Sequence, residues 1–526
     1  MNRLIFIIML IFLFLNVNII AGEYASGLRN SETLEKTLNE ILEFGEDADV
    51  DVKLLMSLLK KDDKSSPLVF KVIMTVGSDI EIASAVKIAV KSKNKDLLLL
   101  SLKTIENLGD KNEQADIIIA LMNSKDKKIK EQAIIMTGKL KIKKSVDKLI
   151  VILLDSYVTQ DIFLNKLAAK SLGEIGDTKA IPALIKGLFV IKKFKGTNNN
   201  GSVFTYAKNA LIKFGNASLK ELIDTLNENS DDFNSFVKEQ RLKKTDIKFN
   251  LIVVISELGG KSVYPILKEY MNYEDLGVRV LAISGMGNLG IYKSVSVLIK
   301  KYNKLKKQVF KLKNDVKIRQ IVEELIKINE ALAKIGGKKA DKHISKEILA
   351  KPLKVNAVKY NDLKDDTIAS FLNFASYKYY YVYKKAYKQA KEQNRKKANL
   401  KYLKTMEVSR RCKNKVKCYI KYLDLKEGLQ GDKKELAIMQ KEKAIYMMAI
   451  FRKGKSRKLV IDSIFEKVLL DYSPSIRNAG IFTFLRIGNK SDIKGMETVI
   501  KKALKDKRLK REISLYENTL AKLKNK

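Results

Sequence analysis

The only two cysteines of the 526-residue chain stand in Arg411-Cys412-Lys-Asn-Lys-Val-Lys-Cys418-Tyr419. A C-x5-C pair is a poor zinc site, because zinc takes four ligands and the only histidine, His343, is distant in sequence. Nor is it the C-x-x-C of a redox site. In an exported chain two such cysteines most simply close one disulfide, with free thiols as the alternative. Residues i and i+6 point apart on a straight helix, so a bond predicts a turn near Asn414. A single histidine removes most histidine-based catalysis and metal binding. G-x-S-x-G, P-loop and H-E-x-x-H patterns are absent. The carboxylate pairs Asp62-Asp63, Asp231-Asp232 and Asp365-Asp366 read as loop neighbours, which does not set an acid and a base across a substrate. The expectation is therefore no catalytic residue, no metal and no cofactor.

Gly285-Met-Gly287-Asn-Leu-Gly290 matches G-x-G-x-x-G, yet the acid expected about 20 residues later is missing. The acid-free span that follows carries Lys293, Lys300, Lys301, Lys304, Lys306, Lys307, Lys311 and Lys313. It is a candidate surface for an acidic partner, against the alternative of an ordinary solvated face. A second candidate is aromatic: FLNFASYKYYYVYKKAYKQAK, in which Tyr380, Tyr383 and Tyr387 share a helical face with Tyr377 just before them, and Tyr379 and Tyr381 point elsewhere. Aromatics among lysines can stack bases or lie on a membrane. They can equally cover a packing junction with hydroxyls reaching water, which is the reading preferred here.

The elements that must hold these residues are read from 160–190. Leu164, Leu167, Ala168, Leu172 and Ile175 mark one helical face, Gly176 ends that helix, Asp177 opens the next, and Ile181, Leu184, Ile185, Leu188 and Phe189 form its stripe. Neither helix can bury its stripe alone, so copies must stack. Helix ends of the same kind fall at Gly77, Gly109, Gly176, Gly215, Gly259, Gly290, Gly336 and Gly488, with Leu140-Lys141 in the same register, at intervals of roughly 31–46 residues over most of the chain. Gly287 and Gly290 occupy the repeat places of Gly173 and Gly176, which argues against a dinucleotide site.

LAAKSLGEIGDTKAIPALIKGL resembles a bacterial HEAT repeat. The resemblance implies an all-α, right-handed α-solenoid of stacked helix pairs, of HEAT or armadillo type, in one or two segments. It also implies that second helices line the concave face, which would aim Lys293–Lys313 at the groove. Cys412-x5-Cys418-Tyr resembles a helix start in some bacterial HEAT-like envelope proteins. Some HEAT-like proteins are enzymes, phycobilin lyases and alkylpurine DNA glycosylases among them. No pigment context accompanies the first, and the N-terminal export signal together with the absence of Trp argues against the second.

The chain starts MNRLIFIIMLIFLFLNVNIIA, with a basic Arg3, an unbroken apolar core and small Ala21 and Gly22. This reads as a secretory signal peptide, implying a periplasmic or secreted protein, or an inner-membrane-tethered one if the segment stays uncleaved as an anchor. The expected organisation is a signal at 1–21, a solenoid at 23–350, a linker and Tyr/Lys-rich helical junction with the cysteine pair at 351–431, and further repeats at 432–526. Lys and Arg number 102 against 60 Asp and Glu, a formal charge of +42. That suits a polyanion such as wall polymer, anionic lipid or nucleic acid. It also suits an AT-rich genome, since the excess is mostly lysine spread along the chain and phosphate recognition tends to recruit arginine. The expected role is a non-enzymatic extracytoplasmic scaffold or adaptor for a protein partner. An acidic envelope polymer or lipid surface is the alternative, and nucleic acid is disfavoured.

Overall fold

A computed structural model describes residues 24–525 apart from 106–114, 156–160, 194–199, 261, 310, 313, 351–356 and 425–427. The hydrophobic leader at 1–21, the Leu108-Gly109 helix end, Lys313 and the start of the 351–431 segment lie outside the described residues. The chain divides into two compact units, Met1–Ala210 and Leu211–Lys526. Among the described residues no helix is long and apolar enough to cross a membrane.

Unit 1 is a run of antiparallel helix pairs. After Leu34–Phe44 and Val52–Leu59 come Ser66–Val76 with Asp79–Ala89, Lys95–Thr104 with Ala115–Leu121, Lys127–Lys139 with Val146–Leu154, and Ile162–Ile175 with Ile181–Gly187. The apolar stripe read from 160–190 is buried: Ala168, Leu172 and Leu184 are fully covered. The insertion after this pair differs from an all-helical expectation. Ile191–Lys193 and Asn200–Ser202 form an antiparallel ribbon, with Ile191 opposite Ser202.

Unit 2 continues the pairs: Lys244–Leu258 with Val263–Tyr270, Leu276–Asn288 with Val295–Val309, and Asp315–Ile335 with Lys338–Leu349. The stretch read from sequence as linker and junction is itself paired. Ala357–Phe374 stands with Tyr380–Gln389, and Gln393–Cys412 with the short Val416–Ile420. Gly431–Met448, Gly454–Lys467, Pro474–Ile487, Ile493–Lys505 and Ile513–Lys524 complete it. Two of the carboxylate pairs are also helical rather than in loops. Asp231 and Asp232 begin Asp231–Gln240, where negative charge suits the helix N-terminus. Asp365 and Asp366 lie within Ala357–Phe374, Asp365 paired with Arg395 at 2.8 Å.

One device recurs where pairs meet. The end of a second helix and the turn after it leave carbonyls unpaired, and a donor from the first helix of the next pair takes them. Asn165 Nδ2 donates to the carbonyls of Ile152, Leu153 and Asp155 at 2.9–3.0 Å. Arg279 Nη1 reaches Tyr273 and Glu274 at 2.9 and 2.7 Å, and Arg477 Nη1 reaches Asp471 and Tyr472 at 2.7 and 3.0 Å. The side chain also matches the negative end of the helix dipole when it is a cation.

Unit 2 adds contacts beyond nearest neighbours. Lys522 pairs with Glu257 at 3.7 Å, Glu517 with Lys213 at 3.7 Å, and Arg486 donates to the Lys334 carbonyl while its guanidinium lies 4.4 Å from the Phe482 ring centre. The last repeats of this unit therefore meet the C-terminal ends of its earlier first helices, in addition to the neighbour-only contacts of a simple solenoid.

Candidate functional site

The lysines of 293–311 separate into two groups by helix geometry. On Val295–Val309 the inward positions are Leu298, Tyr302 and Val309, all buried. Lys301 and Lys306 flank that stripe and turn into the fold. Lys301 Nζ sits 2.8 Å from Glu324 and 3.2 Å from Asn272 Oδ1. Lys306 Nζ sits 2.5 Å from Glu347, which also accepts from the Tyr302 hydroxyl at 2.9 Å. Lys300, Lys304 and Lys307 fall at i, i+4 and i+7 on one face of this helix, and all are exposed, as are Lys311 in the turn beyond it and Lys293 in the preceding turn.

Lys300, Lys304 and Lys307 line an open depression of about 480 Å³ together with Ser296, Asn303 and Lys339. Lys339 belongs to the second helix of the next pair and donates to Ser296 Oγ at 2.8 Å. Lys342 and Lys346 follow it at i+3 and i+7 and are exposed. Two successive second helices thus each carry a lysine row. No carboxylate lines the depression, and Lys300, Lys304 and Lys307 make no ion pair among the described residues. Lys339, Lys342 and Lys346 were missed by sequence reasoning; their i, i+3, i+7 spacing was the available signal, hidden because the acid-free criterion ends at Asn314.

The tyrosines pack inward in part. Tyr383 is buried and donates to the Ile368 carbonyl at 3.1 Å, and Tyr380 donates to Glu407 at 2.5 Å under the Arg410 guanidinium. Tyr377 and Tyr387 are half-buried. Tyr379, expected to point elsewhere, lies edge-on to Phe371 with ring centres 5.4 Å apart and hydrogen-bonds Asp341. Close by, fully buried Lys443 donates to the Leu372 carbonyl at 2.6 Å and to that of Ala375. Burial pushes the Lys443 ammonium well below its ordinary value.

Burial pushes the Asp341 carboxyl up from 3.8 to about 6, with the Tyr379 hydrogen bond and Lys443 opposing it. The folded protein holds that proton more tightly than the unfolded chain. The stabilisation is full below pH 3.8 and is lost as pH rises through about 6. Asp341→Asn is therefore expected to be more stable than wild type above pH 6, by on the order of 1–3 kcal/mol, and to lose the slope below it. Urea unfolding between pH 4 and 8 checks this. Parallel curves for the two proteins would refute it.

The cysteine sulfurs lie 2.00 Å apart in a disulfide. Gln393–Cys412 ends at Lys413, whose φ is +46°, and Val416–Ile420 starts the next helix, so a turn sits around Asn414. His343 is half-buried, edge-on to Tyr302 at 4.7 Å between ring centres, and burial lowers its pKa. Among the described residues no three His, Cys, Asp or Glu converge as metal ligands.

Helix pairs, glycine ends and buried stripes define an α-solenoid of HEAT-like repeats. The family model described as PBS lyase HEAT-like repeat matches residues 167–189. Karyopherin Kap121p, solved bound to the extreme C-terminus of the protein phosphatase Cdc14p, is similar at 9% identity and TM-score 0.50, covering 95% of this chain and 65% of that one. Importin beta is similar at 11% identity and TM-score 0.38, over 88% of this chain and 64% of that one. The CpcE–CpcF phycocyanin lyase complex from Nostoc sp. PCC7120 is similar at 18% identity and TM-score 0.23, over 56% and 94%. The chain spans less than two thirds of the length of either Kap121p or importin beta. No curated protein matches it.

Proposed function

We propose that the protein is a non-enzymatic extracytoplasmic scaffold that holds a protein partner by an acidic surface of that partner. The observation that carries the reading is the depression where Lys300, Lys304, Lys307 and Lys339 converge without a carboxylate. Ammonium groups held together without local acids repel one another, and an acidic surface relieves that repulsion while steering association. The fold supports a binding role by analogy only: Kap121p, in a related architecture, holds a segment of another protein. The apolar leader at 1–21 supports export, by cleavage to a periplasmic or secreted form or by retention as an inner-membrane tether.

The test is crosslinking in intact cells followed by envelope fractionation and mass spectrometry. One envelope protein recovered near stoichiometrically is the expected result, and K300E/K304E/K307E is expected to cut its capture by at least about tenfold. The net charge of +42 favours a second reading, general adhesion to wall polymer or anionic lipid. Recovery of only such material, with steep salt dependence and no loss in the triple variant, would select it. Capture of cytoplasmic proteins alone would overturn export.

A further inference from the structure

A second basic depression lies at the disulfide, and it uses none of the residues of the 295–309 face. Lys415 and Lys417 come from the loop that Cys412 and Cys418 close, and Lys455 and Lys458 come from the first turns of Gly454–Lys467. These lysines face one another across about 900 Å³ of open space. Asp462 is the one carboxylate in the lining. All four lysines are exposed, and none makes an ion pair among the described residues. The floor between them is apolar: Val416 is 9% exposed and Leu459 38% exposed.

The loop is pinned from three sides. The disulfide ties its ends together, the Lys415 amide donates to the Cys412 carbonyl at 2.8 Å, and buried Tyr419 donates to the Lys413 carbonyl at 2.9 Å. A loop fixed in this way presents its two lysines without the ordering cost a free loop would incur on binding. A bare phosphate polymer would satisfy the cations but leave Leu459 uncovered. An acidic peptide satisfies both, since its carboxylates meet the rim and an apolar side chain covers the floor.

We propose that this depression is a docking site for an acidic polypeptide segment bearing an apolar side chain between its carboxylates, and that the Cys412–Cys418 disulfide presets it. The test is fluorescence anisotropy of a labelled peptide of alternating Glu and Leu, titrated with the oxidised full chain. Binding is expected to weaken by at least about tenfold in K415E/K417E/K455E/K458E and by about threefold to tenfold in Leu459→Ser, while K300E/K304E/K307E leaves it within about twofold. An all-Glu peptide is expected to bind more weakly and to ignore Leu459→Ser. Equal binding of the two peptides, or a single-stranded oligonucleotide bound more tightly and indifferent to Leu459→Ser, would overturn the peptide assignment. For the disulfide, Cys412→Ser/Cys418→Ser is expected to lose about threefold to tenfold in affinity. Reduction and reoxidation of the wild-type chain gives the same comparison if that variant fails to fold. Unchanged affinity after reduction would overturn the presetting role.

Discussion

Exchanging Glu324 for alanine is expected to cost about 3 kcal/mol of stability, because it strips the counter-charge from two half-buried cations. Glu324 is 1% exposed. Its two oxygens face Arg279 Nε at 3.0 Å and Lys301 Nζ at 2.8 Å, drawn from both helices of the preceding pair. Arg279 would keep the Tyr273 and Glu274 carbonyls and Lys301 would keep Asn272, so neither cation becomes orphaned of hydrogen bonds. What each loses is its counter-charge, and that term dominates for paired buried ions. Glu324→Gln keeps volume and an acceptor and is expected to cost less than the alanine. Glu512 repeats the arrangement on Arg477 at 2.6 Å, but its side chain is 23% exposed, so Glu512→Ala should cost less again. Urea unfolding at neutral pH, read by far-UV circular dichroism, gives the ranking. A loss under about 1 kcal/mol for Glu324→Ala would show that the carboxylate contributes no net pairing energy.

This pairing also marks what sequence could and could not disclose. Glycine at the end of a first helix is a local signal, and Gly176, Gly215, Gly259, Gly290 and Gly336 all adopt positive φ where the pattern places them. The repeat was legible because most first helices announce their own end, although Gly77 and Gly488 close theirs at negative φ, −80° and −68°. The helix Ala357–Phe374 has no such ending: its terminal carbonyls are taken by Lys443, 68 to 71 residues further on. Without a local stop signal the segment reads as a break in the pattern, although it forms a pair like the others. The lysine face was legible for the same reason and incompletely so. Helical spacing singles out Lys300, Lys304, Lys307 and Lys311 as one line. It cannot reveal that Lys301 and Lys306 are consumed by Glu324 and Glu347, because those acids come from later helices. Lys339 entered the site through stacking of consecutive second helices, which no periodicity within one helix encodes.

Replacing Gly287 by valine is expected to destabilise unit 2 by about 3 kcal/mol or more, since the packing there leaves no room for a side chain. A Cβ at this position would lie 2.6 Å from the Ala331 Cα and 2.9 Å from its Cβ. Backbone cannot yield as a long side chain can, and Ala331 is itself 1% exposed on the neighbouring Asp315–Ile335 helix. The gain in helix propensity over glycine returns less than about 1 kcal/mol. A Cβ on Gly173 would likewise lie 2.8 Å from the Ala210 Cα, and one on Gly138 2.8 Å from the Ser171 Cα, so at these positions too the glycine serves the approach of successive first helices. That accounts for the first two glycines of the apparent nucleotide fingerprint by packing, since a Cβ on Gly285 would lie 2.7 Å from the Ser256 Cβ. The comparison that isolates the steric cause is Gly176→Ala, where φ is +75° and the space is open, and the penalty is conformational at about 1–2 kcal/mol. A second comparison pairs Gly287→Ala with Ala331→Gly. Opening the facing position should recover only the part of the loss owed to the Ala331 Cβ, because the 2.6 Å approach to the Ala331 Cα remains. Thermal and urea unfolding of these variants beside wild type decide it: a Gly287→Val chain as stable as wild type would mean the helices separate freely and the close approach is not what holds the pair.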